Sequence, residues 1–300
     1  MPARARRSDE EVPVHWETFL DTPPAEADPD KARVVIIPVP YDGTTSYRTG
    51  ARYGPAAIIR ASWHLEDYEL ELDRDVSLVG IHTAPAIVPD AGGPEHVVEQ
   101  VRRTVLGWAE RGKLVAVLGG EHTVAIGAVK ALLETYPGLS VLYLDAHADL
   151  QDRYMGTRWG HASVARRIGE MCPVVEVGVR SMSLEESGFI RDSHRPVHLW
   201  PHAEEGLQAL ADRILESLTP LVYVSVDLDV LDPSIMAAVG TPEPDGMSWR
   251  EVTGLLAAIA RQRKIVGFDL TELSPGEGPE ACAFAAAKLA YKIIGYATAP

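Results

Sequence analysis

The sequence predicts a three-layer α/β/α sandwich built on a central, mainly parallel sheet of about eight strands. Three observations lead there. Short β-branched apolar runs recur along the chain, and segments of helical period separate them. Hydrophobic residues make up 46% of the 300, enough for one large core.

The elements follow in chain order. Residues 1–31 are polar and proline-dotted and read as an N-terminal arm with little structure of its own; a single domain is expected over 32–300. The first strand is Val34-Val35-Ile36-Ile37-Pro38-Val39. Pro55, behind Gly54, takes the first position of a helix reaching Leu65. Leu78-Val79-Gly80-Ile81 is a weaker strand candidate. The stretch from Glu95 to Arg111 has helical spacing and ends at Gly112, a residue suited to a C-cap. Runs at 114–118 and 141–144 are strands flanking a helix over 124–136. A strand over 174–179 and a weaker one over 197–200 come next. Helices over 203–218 and 248–263 bracket a strand over 221–226, and Ser248 with Glu251 has capping-box spacing. A strand over 265–268 and a helix over 279–294 close the chain. Most runs are continuous rather than alternating, as in parallel strands buried on both faces. No internal repeat or linker divides them.

The formal net charge of −15 argues against nucleic acid and against an anionic membrane surface as partners. It suits a cationic small molecule, which such a field concentrates; solubility explains the surface charge equally well. Two cysteines, Cys172 and Cys282, make no disulfide framework, and a reducing, cytoplasmic setting is expected. No stretch has the length and apolarity of a membrane span. The arginine-rich start lacks an apolar run after it and turns acidic at Asp9, Glu10 and Glu11, unlike a secretion signal.

Ligands of open parallel sheets bind at the carboxyl ends of the strands. Four strand ends here carry Gly119-Gly120-Glu121-His122, Asp145-Ala146-His147-Ala148-Asp149, Asp227-Leu228-Asp229 and Thr271-Glu272. Extended residues two apart face one side, so Asp145, His147 and Asp149 can converge, as can Asp227 and Asp229. Clustered carboxylates raise one another's pKa values unless positive charge lies among them, and metal cations supply it. Ligands of imidazole and carboxylate without thiolate suit manganese and, less specifically, zinc, iron, cobalt or magnesium. Six potential ligands (His122, Asp145, His147, Asp149, Asp227 and Asp229) exceed the needs of one hydrolytic ion and suggest a pair. An isolated Asp after a strand is more often a helix cap than a ligand; the combination is what carries the reading. Glu121 is a further neighbour whose direction the sequence leaves open. His64, His82, His96, His194, His198 and His202 receive no role.

These signatures resemble the ureohydrolases: arginase, agmatinase and their relatives. The likeness also takes in Pro40-Tyr41-Asp42, Gly50-Ala51-Arg52-Tyr53-Gly54-Pro55, Gly240-Thr241-Pro242-Glu243-Pro244 and Thr271-Glu272-Leu273-Ser274-Pro275, and extends from Arg33 to Tyr296. The resemblance implies an α/β/α fold and two Mn2+ ions per subunit. In it His122 and Asp149 bind one ion, His147 and Asp229 the other, and Asp145 and Asp227 bridge them. It makes Glu272 the partner of the guanidinium group, whose planar fork of donors matches a carboxylate. Thr241 sits beside the substrate, and Asp149 relays a proton to the leaving amine. His161 stands where the family has a proton-shuttling histidine at the pocket mouth, but Gly160-His161-Ala162-Ser163 departs from the commoner His-Gly-Thr pattern, and a structural role competes. Trimers or hexamers are common in the family, so a homo-oligomer is implied.

The segment from Tyr154 to Trp159 lacks the polar pattern with which arginases read an amino acid. The likeness leans to agmatinases, and agmatine, giving putrescine and urea, is the first substrate it implies. Aminopropylagmatine, leading to spermidine, and guanidino acids such as guanidinobutyrate are the alternatives. Tyr154, Met155 and Trp159 are read either as lining a channel for a polyamine chain or as packing residues. Arg158 is read as solvated or as a partner for a substrate carboxylate. Two other classes compete. A single-metal amide hydrolase of the deacetylase type would not need His122, Asp149 and Glu272, and a non-catalytic relative would have lost ligands that are all present here.

Overall fold

The computed structural model describes residues 16–23, 27–201 and 206–299. Among the described residues, ten strands are β1 (Val34–Val39), β2 (Tyr68–Glu69), β3 (Arg74–Asp75), β4 (Ile81–Thr83), β5 (Leu114–Gly119), β6 (Ser140–Leu144), β7 (Val174–Val179), β8 (Val197–Leu199), β9 (Leu221–Asp227) and β10 (Lys264–Thr271). The described residues also form eight α-helices, α1 (Gly54–Ser62), α2 (Pro94–Ala109), α3 (Val124–Thr135), α4 (Val164–Ile168), α5 (Leu184–Ser193), α6 (Leu207–Ser217), α7 (Trp249–Ala260) and α8 (Ala281–Ala297). Eight strands form one sheet in the order β4-β1-β5-β10-β9-β6-β7-β8, every pairing parallel, while β2 and β3 make a separate antiparallel hairpin.

Alternate residues of each central strand enter two different cores. Val34, Ile36, Leu118, Leu144, Val224 and Phe268 pack against α1, α6, α7 and α8. Val35, Ile37, Val117, Tyr143 and Tyr223 pack against α2, α3 and α4. Burial on both faces is why the strands read as continuous apolar runs, and the result is the expected three layers. The capping box at Ser248 and Glu251 forms reciprocally. Gly112 adopts φ +71 just past α2, a left-handed position that glycine takes without steric cost.

Some elements differ from the sequence reading. The weak strand over 78–81 resolves into a 3-10 turn, Val76–Val79, followed by β4, because Gly80 takes φ +77 and breaks the run. The β2–β3 hairpin and helices α4 and α5 carry too little period to be read from the chain. In the arm, Phe19 and Leu20 are buried in the first core, and Lys113 Nζ donates to the carbonyls of Asp30 and Ala32. Residues 1–15 and 24–26 of that arm lie outside the described residues, as do His202 and the start of the helix expected from Ala203.

Candidate metal centre and substrate pocket

The topology brings β5, β10, β9 and β6 side by side, so the four strand ends singled out in the sequence meet at one edge of the sheet. Two groups of metal-capable atoms form there: His122 with Asp145 and Asp227, and Asp145 with His147 and Asp229. Asp145 belongs to both. His122 Nδ1 is 3.1 Å from Asp145 Oδ2, 3.4 Å from Asp227 Oδ2 and 3.7 Å from Asp149 Oδ2. His147 Nδ1 is 2.9 Å from Asp229 Oδ2 and 3.6 Å from Asp145 Oδ1. All six residues expected as ligands therefore lie in one cluster. Asp227 belongs to the His122 group and not to the His147 group, and Asp149 lies beside the His122 group.

Backbone geometry aims these side chains. The His147 amide donates to Asp145 Oδ1 at 2.6 Å, the Ala146 amide to Asp229 Oδ1 at 3.0 Å, and the Asp229 amide to Asp227 Oδ1 at 2.9 Å. Asp149 and Glu272 hold φ values of +50 and +66, unusual for residues with a Cβ and typical of strain kept at functional sites. Gly120 allows the turn before His122 to approach the β1 loop: a Cβ there would lie 2.1 Å from the Tyr41 carbonyl oxygen.

The electrostatics follow from crowding charge in a dry place. Burial opposes charge on His122 and His147, yet Asp145 and Asp227 around the first, and Asp229 and Asp145 around the second, hold both imidazoles well above their ordinary pKa. Burial, with Asp145 adding, pushes the Asp149 carboxyl up, and burial with Asp229 and Asp145 does the same to Asp227. Asp145 is held low against burial by the two histidines that flank it. Four carboxylates sharing so small a volume with two imidazoles are a donor set that divalent cations fit, because their charge relieves the repulsion.

Behind the cluster, His122 Nε2 lies 2.8 Å from Ser225 Oγ, which in turn donates to the fully buried Asp269 carboxylate at 2.9 Å. Burial raises Asp269 to about 6. With the serine hydrogen committed to Asp269, Ser225 accepts from His122 Nε2–H, which orients the ring so that Nδ1 faces the carboxylates. Neither Ser225 nor Asp269 receives a role from the sequence; both sit inside apolar strands, where a polar residue interrupting the run is the available signal.

The cluster floors a pocket of about 210 Å3. His161, Thr241 and Glu272 line it, as do Tyr154, Ser46 and Glu186. Glu272 Oε1 accepts the His122 amide at 2.7 Å, and burial, aided by Glu121, pushes its carboxyl up to about 8. Glu121 turns away from the ligand cluster: it is buried and accepts from the Thr44 amide and hydroxyl, both at 2.6 Å. Thr44 Oγ1 in turn lies 3.2 Å from His161 Nδ1 and accepts the His161 amide at 3.0 Å, and burial pushes the His161 imidazole down to about 4. Glu186 went unread, although Ser183-x-x-Glu186 has the capping-box spacing that the structure realises at α5. Trp159 does not line the pocket: it packs on the second core, with Lys130 Nζ over its ring. Met155 is exposed. Arg158 pairs with Asp152 and Glu170 rather than facing the site.

Comparison with known proteins agrees with this geometry. The family model described as the arginase family matches residues 32–295. The chain is 42% identical over 270 residues to a Thermus thermophilus protein named N(1)-aminopropylagmatine ureohydrolase, covering 89% of this chain and 90% of that one. It is 38% identical over 271 residues to the agmatinase of Pyrococcus horikoshii, covering 88% and 92%. The crystal structure of agmatine ureohydrolase of Thermoplasma volcanium superposes with a TM-score of 0.83 at 30% identity, covering 95% of each chain. A model match across nearly the whole sequence, joined by relatives of this identity and coverage, makes the chain a member of the arginase family of carbon–nitrogen hydrolases.

Proposed function

We propose that the protein hydrolyses a cationic guanidino amine to urea and an amine, with N1-aminopropylagmatine as substrate. The observation that carries the reading is the pair of ligand groups sharing Asp145 at the floor of a pocket that also holds the buried carboxyl of Glu272. His122 and Asp149 would hold one divalent ion and His147 and Asp229 the other, with Asp145 and Asp227 between them; manganese suits these ligands. When bound, such a pair supplies a water acidic enough to attack at neutral pH and offsets developing charge.

The chain's own residues do the rest. Glu272 receives the guanidinium, whose positive charge favours the ionised carboxylate and whose N–H donors fit its oxygens. Its bond to the His122 amide fixes the carboxylate relative to the metal cluster. Thr241 lines the pocket and would border the bound guanidinium. Water adds to the guanidinium carbon, the bond to the alkyl-bearing nitrogen breaks, and Asp149 carries a proton to that nitrogen. His161, tied to Thr44, stands at the wall where protons pass to solvent. Urea keeps the oxygen of the water, and the amine leaves.

The choice of substrate leans on likeness. The relative named for aminopropylagmatine is the more identical of the two quoted, at 42% against 38%. Agmatine, first on the sequence reading, is the second reading. A reducing, cytoplasmic setting and a homo-oligomer, trimeric or hexameric, complete the proposal; both cysteines are free, and no helix among the described residues can cross a membrane. The test is kcat/KM of the manganese-loaded protein on aminopropylagmatine, agmatine, arginine and guanidinobutyrate. Highest efficiency on aminopropylagmatine supports the assignment, and a preference for arginine or guanidinobutyrate overturns it.

A further inference from the structure

We infer that Tyr143 is a positioning residue that braces the His122–Asp149 side of the centre and thereby sets the affinity of one ion and not the other. The inference rests on the two-ion reading above. Tyr143 lies within β6, two residues before Asp145 and so on the same side of the strand, and it is fully buried. Its hydroxyl donates to Asp149 Oδ2 at 2.6 Å, and the hydroxyl oxygen lies 2.9 Å from His122 Nδ1. Its ring stacks on the His122 imidazole, with centroids 4.6 Å apart and planes 9° from parallel.

Each contact removes a freedom that a ligand must lose. The stacked ring stops the imidazole from turning about its Cβ–Cγ bond. The Ser225 hydroxyl already accepts from Nε2, so ring plane and tautomer are fixed together. The donated hydrogen bond selects the orientation of the Asp149 carboxylate. Asp149 needs such a brace more than its neighbours do. Asp145, Asp227 and Asp229 each accept a backbone amide of the metal cluster itself, while Asp149 sits on a left-handed backbone with Tyr143 as the donor to its Oδ2. Among the described contacts, those of Tyr143 fall on His122 and Asp149 and not on His147 or Asp229. The brace is therefore one-sided.

The test is a titration of metal-stripped protein with manganese chloride, comparing wild type with Tyr143→Phe, which keeps the ring and deletes only the hydroxyl. Tyr291→Phe, which deletes another buried tyrosine hydroxyl at the β2–β3 side of the fold, is the control. The expected result is two ions in all three proteins, with one of the two dissociation constants raised roughly 10- to 100-fold in Tyr143→Phe alone, the range seen when outer partners of ligands are removed. In the double variant with Asp229→Asn, the losses should fall on different ions and add. Two ions bound by wild type and unaltered affinities in Tyr143→Phe overturn the inference alone, as does weakening of the same ion that Asp229→Asn weakens. A wild type that binds fewer than two ions overturns the two-ion reading instead. The structure of the manganese-loaded wild type is an independent check on the brace. The Tyr143 hydroxyl should stay within hydrogen-bond distance of the Asp149 carboxylate, and a hydroxyl turned away from it refutes the inference.

Discussion

Replacing Asp145 by asparagine removes one negative charge from the position that the two ligand groups share. Shape is kept: the asparagine carbonyl can still accept the His147 amide that Asp145 Oδ1 accepts at 2.6 Å. The magnitude follows from the geometry. The carboxylate lies 3.1 Å from His122 Nδ1 and 3.6 Å from His147 Nδ1, so an ion held by either histidine is close to it. At an effective dielectric of about 20, unit charges 4 Å apart attract by about 4 kcal/mol. Each divalent ion therefore loses at least about 4 kcal/mol, roughly a thousandfold in each dissociation constant. Asp229→Asn is the internal comparison, because Asp229 belongs only to the His147 group. The assay is isothermal titration of stripped protein with manganese, with metal counted after dialysis. Asp145→Asn should lose both ions and Asp229→Asn one. Retention of both ions by Asp145→Asn, or loss of the same single ion in the two variants, would refute the shared-ligand geometry.

Other consequences are as specific. Glu272→Gln should keep both ions, since a glutamine carbonyl can still accept the His122 amide, yet lose its charged partner for guanidinium. Two charge-assisted hydrogen bonds at about 1.5 kcal/mol or more each predict at least about a hundredfold lower kcat/KM, and an unchanged value would contradict the role. Glu176 is buried in β7 beside Arg195, and burial pushes its carboxyl up to about 8 from an ordinary 4.5. The folded chain thus keeps a proton that the unfolded chain has lost, and stability falls as pH rises through that window, by at most about 1.4 kcal/mol per unit. Glu176→Gln should remove this slope, so its gain in Tm over wild type should grow from about pH 5 to about pH 8 and then level off; a gain independent of pH would count against it. Ser248→Ala should cost about 1 kcal/mol through loss of the α7 cap, seen as a lower denaturation midpoint.

The parts of this protein that the sequence announces are those whose physics is local. Continuous runs such as Val34–Val39 and Leu221–Val226 read as buried strands because both faces meet apolar layers. Asp145 and His147 read as convergent because the two-residue period is set by the backbone itself, whereas Asp149 reaches the same cluster from a left-handed backbone that this period does not describe. What stayed hidden depends on contacts between distant strands. Tyr143 looks like core, and its hydroxyl gains meaning only when β5 brings His122 against it. Asp269 and Ser225 find each other across β10 and β9. Glu121 ends in the same motif as His122 but turns to Thr44, a partner 77 positions away that no local rule identifies. Trp159 and Arg158 lie next to the pocket in sequence and not in space, because the loop sends Trp159 toward Lys130 and Arg158 toward Glu170.

The measurement closest to the central claim is the product balance of the metal-loaded enzyme on a guanidino amine, with metal content counted on the same sample. The account predicts two ions per chain and equimolar urea and amine, lost on chelation and restored by manganese. Two ions bound with no urea from aminopropylagmatine, agmatine, arginine or guanidinobutyrate would contradict it.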